Sequence, residues 1–206
     1  MAAAEWEARI RRALEAAGIG FGEEELRRWS GYCRRLWRWN ARRRLVGDRD
    51  PQRLIDRHLV ESLWLAKEVE IGGRRLYDLG SGGGFPAMPL AMGYAPAKTT
   101  LIEINQFKSA FLRQEIAEQG LNSEVLELDA RSIRGVEGDL VTVRALEKIE
   151  DLPVWAGNFL LPGGLLAAWV NRELYEQWQS KYTAWQWQSF IPLPGAERRG
   201  IGLARK

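Results

Sequence analysis

The segment LYDLGSGGGFPAMPLAM, Leu76 to Met92, constrains the fold more than any other stretch of this chain. A short β-prone run ends in an acid, Asp78, and four glycines follow within the five positions 80 to 84. A helical pattern starts after Phe85, with Pro86 and Pro89 near its first turn, where the amides have no intrahelical partner to lose. Glycines at such a junction let a ligand approach backbone amides at a helix N-terminus, at the carboxyl edge of a parallel sheet.

The surrounding pattern agrees with a sheet of that kind. RLYDL, TTLIE, SEVLEL, DLVTVR and GLLAAWV are short β-rich runs, separated mostly by helical ones such as QFKSAFLRQEIAEQ, which stops at Gly120. This alternation predicts a mainly parallel sheet with covering helices. AWQWQSFIPL and RGIGLARK are expected to close it as a hairpin.

The first seventy residues read as helices. Trp6, Ile10, Leu14 and Ala17 recur at helical spacing up to Gly18, and Leu26, Trp29, Cys33, Leu36 and Trp37 form a second stripe. A third helix opens at Asp50, a capping residue, with Pro51 first and Leu54, Ile55, Leu59 and Leu65 on its apolar side. The expected division is a basic helical extension, residues 1–70, and an α/β domain, residues 71–206, sharing one core.

Composition narrows the partners. The net charge is only +3, but eight arginines lie between Arg27 and Arg44, a clustering that suits either an anionic partner or a solvated helix face. Arg27, Arg34, Arg38 and Arg42 are expected on one side of the second helix. A single Cys33 excludes an internal disulfide and fits a reducing compartment; with one histidine, it also argues against a structural zinc site. No run is long enough to span a bilayer, and the N-terminus lacks a secretory apolar core. A soluble, cytoplasmic protein is therefore expected, with no membrane partner and no metal.

The loop selects among ligands. A dinucleotide fingerprint would need glycine where Phe85 stands, and a Walker A loop would need a Gly-Lys-Ser/Thr ending that is absent. Asp78 would also repel a pyrophosphate. A cationic nucleoside fits better, and S-adenosyl-L-methionine carries a sulfonium and an ammonium but no phosphate. Glu103, nineteen residues beyond Gly84 at the end of the second strand, can accept both ribose hydroxyls, and Asp129 falls at the same sheet edge. Asp and Gly also populate ordinary turns and caps, so the signal rests on loop and acid together.

DLGSGGGFPAMPLA, with its two prolines, resembles the signature of the bacterial small-subunit rRNA (guanine-N7)-methyltransferase G family, also called glucose-inhibited division protein B. WN at Trp39–Asn40, RDPQRLIDRHLVES at Arg49–Ser62, KSAFLRQ at Lys108–Gln114 and VRALEKIEDL at Val143–Leu152 are similar to further family elements. The resemblance covers most of the chain. It implies a Rossmann-like class I S-adenosylmethionine-dependent methyltransferase with an N-terminal helical extension, acting on ribosomal RNA or the small ribosomal subunit. Together with the residue argument, it implies cofactor contacts at Asp78, Gly80, Ser81, Gly82, Gly84 and Phe85. Further contacts are implied at Glu103, Ile104, Asn105, at Asp129, Ala130, Arg131, Ser132, Ile133, and at Arg144. The chain departs from the family at three places: RSI at Arg131–Ile133 replaces Arg-Ala-Glu, RRLV replaces an Asn-Leu near the second helix end, and Trp169 stands where a lysine is usual.

Methylation of guanine N7 needs no general base, because that nitrogen carries a lone pair and no proton at neutral pH; alignment is the main requirement. The missing cysteine near the fourth strand therefore argues only against cytosine-C5 chemistry. Arg144, the candidate catalytic residue, could bind cofactor, phosphate or guanine O6, or simply pair with an acid such as Glu147. His58 reads as a satisfied core histidine. Arg27, Arg34, Arg38, Arg42, Arg43 and Arg44 become candidate RNA contacts, with Trp37 and Trp39 able to stack on unpaired bases. Two alternatives remain at this level: a non-catalytic RNA-binding relative and a nicotinamide-dependent oxidoreductase.

Overall fold

Apolar residues of the strands alternate between two faces, and helices cover both. In the computed structural model, which describes residues 1–146 and 149–206, seven strands form one sheet in the order β3-β2-β1-β4-β5-β7-β6. They are β1 (Arg75–Leu79), β2 (Lys98–Ile102), β3 (Ser123–Leu126), β4 (Gly138–Arg144), β5 (Leu160–Asn171), β6 (Gln186–Leu193) and β7 (Ala196–Arg205). The first five are parallel; β7 runs antiparallel to β5 and β6, forming the expected closing hairpin. The chain passes from β1 to β2 on one side and returns to β4 on the other. That switch point lies at the carboxyl ends of β1 and β4, where open sheets hold ligands.

Leu76, Leu101, Leu140, Leu165 and Ala167 face the helices α1 (Ala3–Ala16), α2 (Glu23–Asn40), α3 (51–67), α4 (Ala87–Tyr94) and α5 (Gln106–Gln119). Leu79, Ile102, Val141, Val143, Leu166 and Ala168 face α6 (Leu152–Ala156) and α7 (Arg172–Lys181). The N-terminal helices share the first of these cores instead of forming their own. Two contacts show how they are fastened. Trp29 donates its indole N–H to the Pro89 carbonyl at 3.0 Å, and Arg35 grips the fully buried Glu115 through a fork of 2.7 and 2.8 Å bonds. Cys33 is buried within the same core.

Local chemistry sets the helix ends. Gly18 terminates α1 at φ +61°, Asp50 caps α3 by accepting from the Gln52 amide, and Asn105 caps α5 by accepting from Phe107 and Lys108. The second helix stops earlier than the arginine spacing suggests. Asn40 accepts from the Leu45 and Val46 amides at 2.8 and 3.0 Å and donates to the Asp48 carbonyl, offering the backbone an alternative to another helical turn. Arg42, Arg43 and Arg44 consequently lie past the helix end, and of the candidate RNA contacts α2 carries Arg27, Arg34 and Arg38 alone. Within α3, Leu54–Val60 is π-helical, a local widening often found at functional sites. No helix among the described residues is long and apolar enough to cross a membrane.

Candidate active site

The glycine turn forms the floor of a pocket of about 480 Å³ at the switch point. Gly80, Gly82 and Gly84 all take positive φ, at +74°, +57° and +100°. At Gly84 the requirement is also spatial, since a Cβ there would lie 2.6 Å from Met88 and 2.7 Å from the Tyr32 hydroxyl. Tyr32 of α2 donates that hydroxyl to the Gly83 carbonyl, so the N-terminal extension holds the loop directly.

Glu103 closes the turn from β2. Its Oε2 accepts from the Gly82 amide at 2.8 Å and its Oε1 from the Asn105 amide at 2.8 Å. A carboxylate offers about four acceptor positions, so two remain for ligand hydroxyls. The side chain is buried yet lines the pocket. Asp78 sits one layer beneath, 1% exposed and in register with Thr142 of β4. Thr142 donates to its Oδ1 at 2.6 Å, while Oδ2 is buried without a hydrogen-bond partner among the described residues. Burial pushes the Asp78 carboxyl up to about 6, against the hydrogen bond from Thr142. A ligand cation or N–H donor is the complement such an orphaned oxygen lacks.

The opposite wall is built on Arg144 at the end of β4. Its guanidinium donates to the carbonyls of Arg57 and His58, to Ser62, and to Glu61 Oε2 at 2.8 Å. Glu61 is 4% exposed and also receives Arg199 at 3.1 Å, while its own carbonyl accepts from Trp169. The acid facing Arg144 is thus Glu61 of α3; Glu147, the neighbour in sequence, lies outside the described residues. Burial lowers Arg144 to about 10, with Glu61 opposing, so it stays charged at neutral pH. Next to it His58 bonds to Asp48 at 2.8 Å and packs against Phe85 with ring planes tilted by 43° and centroids 5.2 Å apart. Burial and then the Arg144 charge lower this imidazole to about 4, which keeps it neutral at pH 7. It is a satisfied histidine, and it also lines the pocket.

Of the residues singled out in the sequence, Gly80, Ser81, Gly82, Phe85, Glu103, Ile104, Asp129, Ala130, Arg131 and Arg144 line this pocket. Asp78 and Gly84 lie beneath the loop, and Asn105 is engaged as the cap of α5. Ser132 and Ile133 do not line it. Asp129 accepts from the Arg131 amide and turns the chain there. Residues that sequence reasoning did not select also line it, notably Leu45–Gly47, His58, Lys108 and Trp155. RDPQRLIDRHLVES was a visible signal for the α3 wall, but nothing local shows where it docks.

A carboxylate after the second strand, an orphaned acid before the glycine turn and a positive-φ loop between them is a donor set that fits adenosylmethionine. The M. jannaschii TYW2, solved in complex with AdoMet, is 16% identical and superposes with TM-score 0.56 over 70% of this chain and 73% of that one. The [4+2]-cyclase SpnF superposes with TM-score 0.61 at 20% identity, covering 78% and 84%. These likenesses establish the Rossmann-like fold of class I methyltransferases, which evidently supports more than one chemistry. Sequence is more specific. A "Ribosomal RNA small subunit methyltransferase G" of Neisseria meningitidis is 35% identical over 161 residues, 78% of this chain and 77% of that protein. Residues 25–197 match the family described as rRNA small subunit methyltransferase G, so the sequence that builds both the glycine turn and the α3 wall is family sequence. The chain belongs to the rRNA small subunit methyltransferase G family.

Proposed function

We propose that this protein is an S-adenosylmethionine-dependent methyltransferase that modifies N7 of a guanine in small-subunit ribosomal RNA. The observation that carries the reading is Glu103, locked to the amides of Gly82 and Asn105 with acceptor capacity left toward the pocket. Glu103 would hold the ribose hydroxyls of the cofactor, Asp78 its cationic end, and the segment Leu128–Arg131 would border the base. When bound, adenosylmethionine supplies an electrophilic methyl group.

The remaining task of the chain is orientation. A guanine N7 brings its own lone pair, so no side chain has to remove a proton, and a neutral His58 is consistent with that. Arg144 reaches the pocket wall already anchored by four oxygens of α3, which supports a role in steadying guanine O6 or a phosphate without donating to the attacking nitrogen. The arginines at positions 27, 34, 38 and 42–44 would neutralise RNA phosphates. A ribosomal substrate places the protein in the cytoplasm.

The test is incubation of labelled methyl donor with small subunits and small-subunit RNA lacking the modification, followed by digestion and mass analysis. N7-methylguanosine carrying the label is the expected product. RNA binding without label would instead identify a non-catalytic relative. Thermal shift separates the cofactors, since adenosylhomocysteine should raise Tm and NAD should not.

A further inference from the structure

A second groove, about 1020 Å³, lies beside the pocket between the end of α2, the turn at 41–43 and the start of α5. Its aromatic lining is Trp37, Trp39 and Phe107, and its charged lining includes Arg38, Arg42 and Arg43. Trp39 is braced from behind by Phe111 at 5.6 Å and Trp37 by Trp6 at 6.4 Å, so their planes are fixed by the core. Phe107 differs: it is 53% exposed, with the Arg43 guanidinium 4.4 Å from its ring centroid. Among the described residues Arg38, Arg42 and Arg43 form no ion pair, and no acidic residue lines the groove.

We infer that this groove seats unpaired nucleotides of the RNA strand that flank the methylated base. Flat aromatic faces next to cations match a nucleotide, which offers a π-face for stacking and an anionic phosphate. Position agrees with chemistry. Lys108, adjacent to Phe107, lines the cofactor pocket, and so do Leu45–Gly47, which follow the arginine turn. The groove and the pocket are therefore lined by neighbouring residues of the same two chain segments, so a strand lying in one can present its next base to the other. This inference rests on the proposed RNA substrate, and it adds that the strand is single-stranded where the protein reads it.

The test measures binding of a labelled short oligoribonucleotide, single-stranded or annealed to its complement, by the wild type, Phe107→Ala and Phe107→Trp. The single strand should bind more tightly than the duplex, Phe107→Ala should weaken it by about tenfold, and Phe107→Trp should restore it. An unchanged adenosylhomocysteine thermal shift in both variants would show that the fold and cofactor pocket are intact. Single-strand binding by Phe107→Ala within twofold of wild type, or equal affinity for the duplex, overturns the inference. A protein that binds through Phe107 but transfers no label would retain the groove and lose the proposed reaction. Transfer of label with normal binding by Phe107→Ala would do the reverse.

Discussion

Arg144 and Arg38 carry the same guanidinium in opposite surroundings. Arg144 is buried at the pocket wall and donates to four oxygens of α3, whereas Arg38 is exposed on α2 and forms no ion pair among the described residues. Removing water from a charge is expensive unless partners replace it, so the wall around Arg144 has to be built residue by residue. The α2 surface keeps its water and stays available to phosphates, where screened, long-range attraction is sufficient. Under the proposed function the two regions would divide the work, with geometry fixed at the pocket and charge displayed on the helix.

The largest effect should come from taking away the partner that Arg144 and Arg199 share. Glu61→Leu leaves Arg144 buried without an ion-pair partner among the described residues and should destabilise the fold by roughly 3–5 kcal/mol. Arg38→Gln should stay within about 0.5 kcal/mol of wild type. Urea unfolding of the two variants measures both. Similar losses at the two positions would break the distinction between built and solvated charge.

A steric contrast sharpens it. Gly84→Ala places a Cβ 2.6 Å from Met88 at a φ of +100°, combining overpacking with backbone strain. A loss of roughly 2–3 kcal/mol is expected, together with weaker adenosylhomocysteine binding. Gly47 also lines the pocket, but on its exposed rim, where an added methyl would meet nothing within 4 Å, and Gly47→Ala should be nearly neutral. Denaturation and calorimetric titration would read the two outcomes side by side.

How much of this was legible beforehand follows the same line. The glycine turn, Glu103 after β2, the strands and α5 with its Asn105 cap are local patterns, and the sequence displays them in order. The α3 wall is not local. Glu61 meets Arg144 across 83 residues and Arg199 across 138, and His58 reaches the pocket only because α3 packs beside β4. Arginine spacing misplaced Arg42 for a related reason, since the spacing cannot show that Asn40 binds the amides of Leu45 and Val46 and ends α2.

Asp78 gives a pH-dependent version of the contrast. Unfolded, its carboxyl titrates near 3.9; folded, burial holds it at about 6. Between those values the folded state binds the extra proton, so stability falls as pH rises from about 4 to 6. The decline should be on the order of 3 kcal/mol by pH 7. Asp78→Asn should flatten this decline in urea melts between pH 4 and pH 7. The same variant should bind adenosylhomocysteine less tightly at pH 7, because the ligand ammonium loses the carboxylate. A wild type whose ligand affinity does not rise between pH 5 and pH 7 would remove Asp78 from the cofactor site.

The smallest effect on stability is expected on α2, where the functional effect should instead depend on salt. Arg27→Gln and Arg38→Gln change exposed groups without ion pairs among the described residues, so melting temperatures should barely move. Each charge removed should weaken RNA binding most at low salt and lower the slope of log affinity against log salt by about 0.7 for a single strand. Arg144→Gln should behave differently, lowering methyl transfer at every salt concentration, because its guanidinium acts at a fixed distance inside a site that counterions do not screen. A salt slope unchanged by Arg38→Gln would mean that α2 is simply solvated, and the anchoring of RNA would have to be sought at the turn carrying Arg42, Arg43 and Arg44.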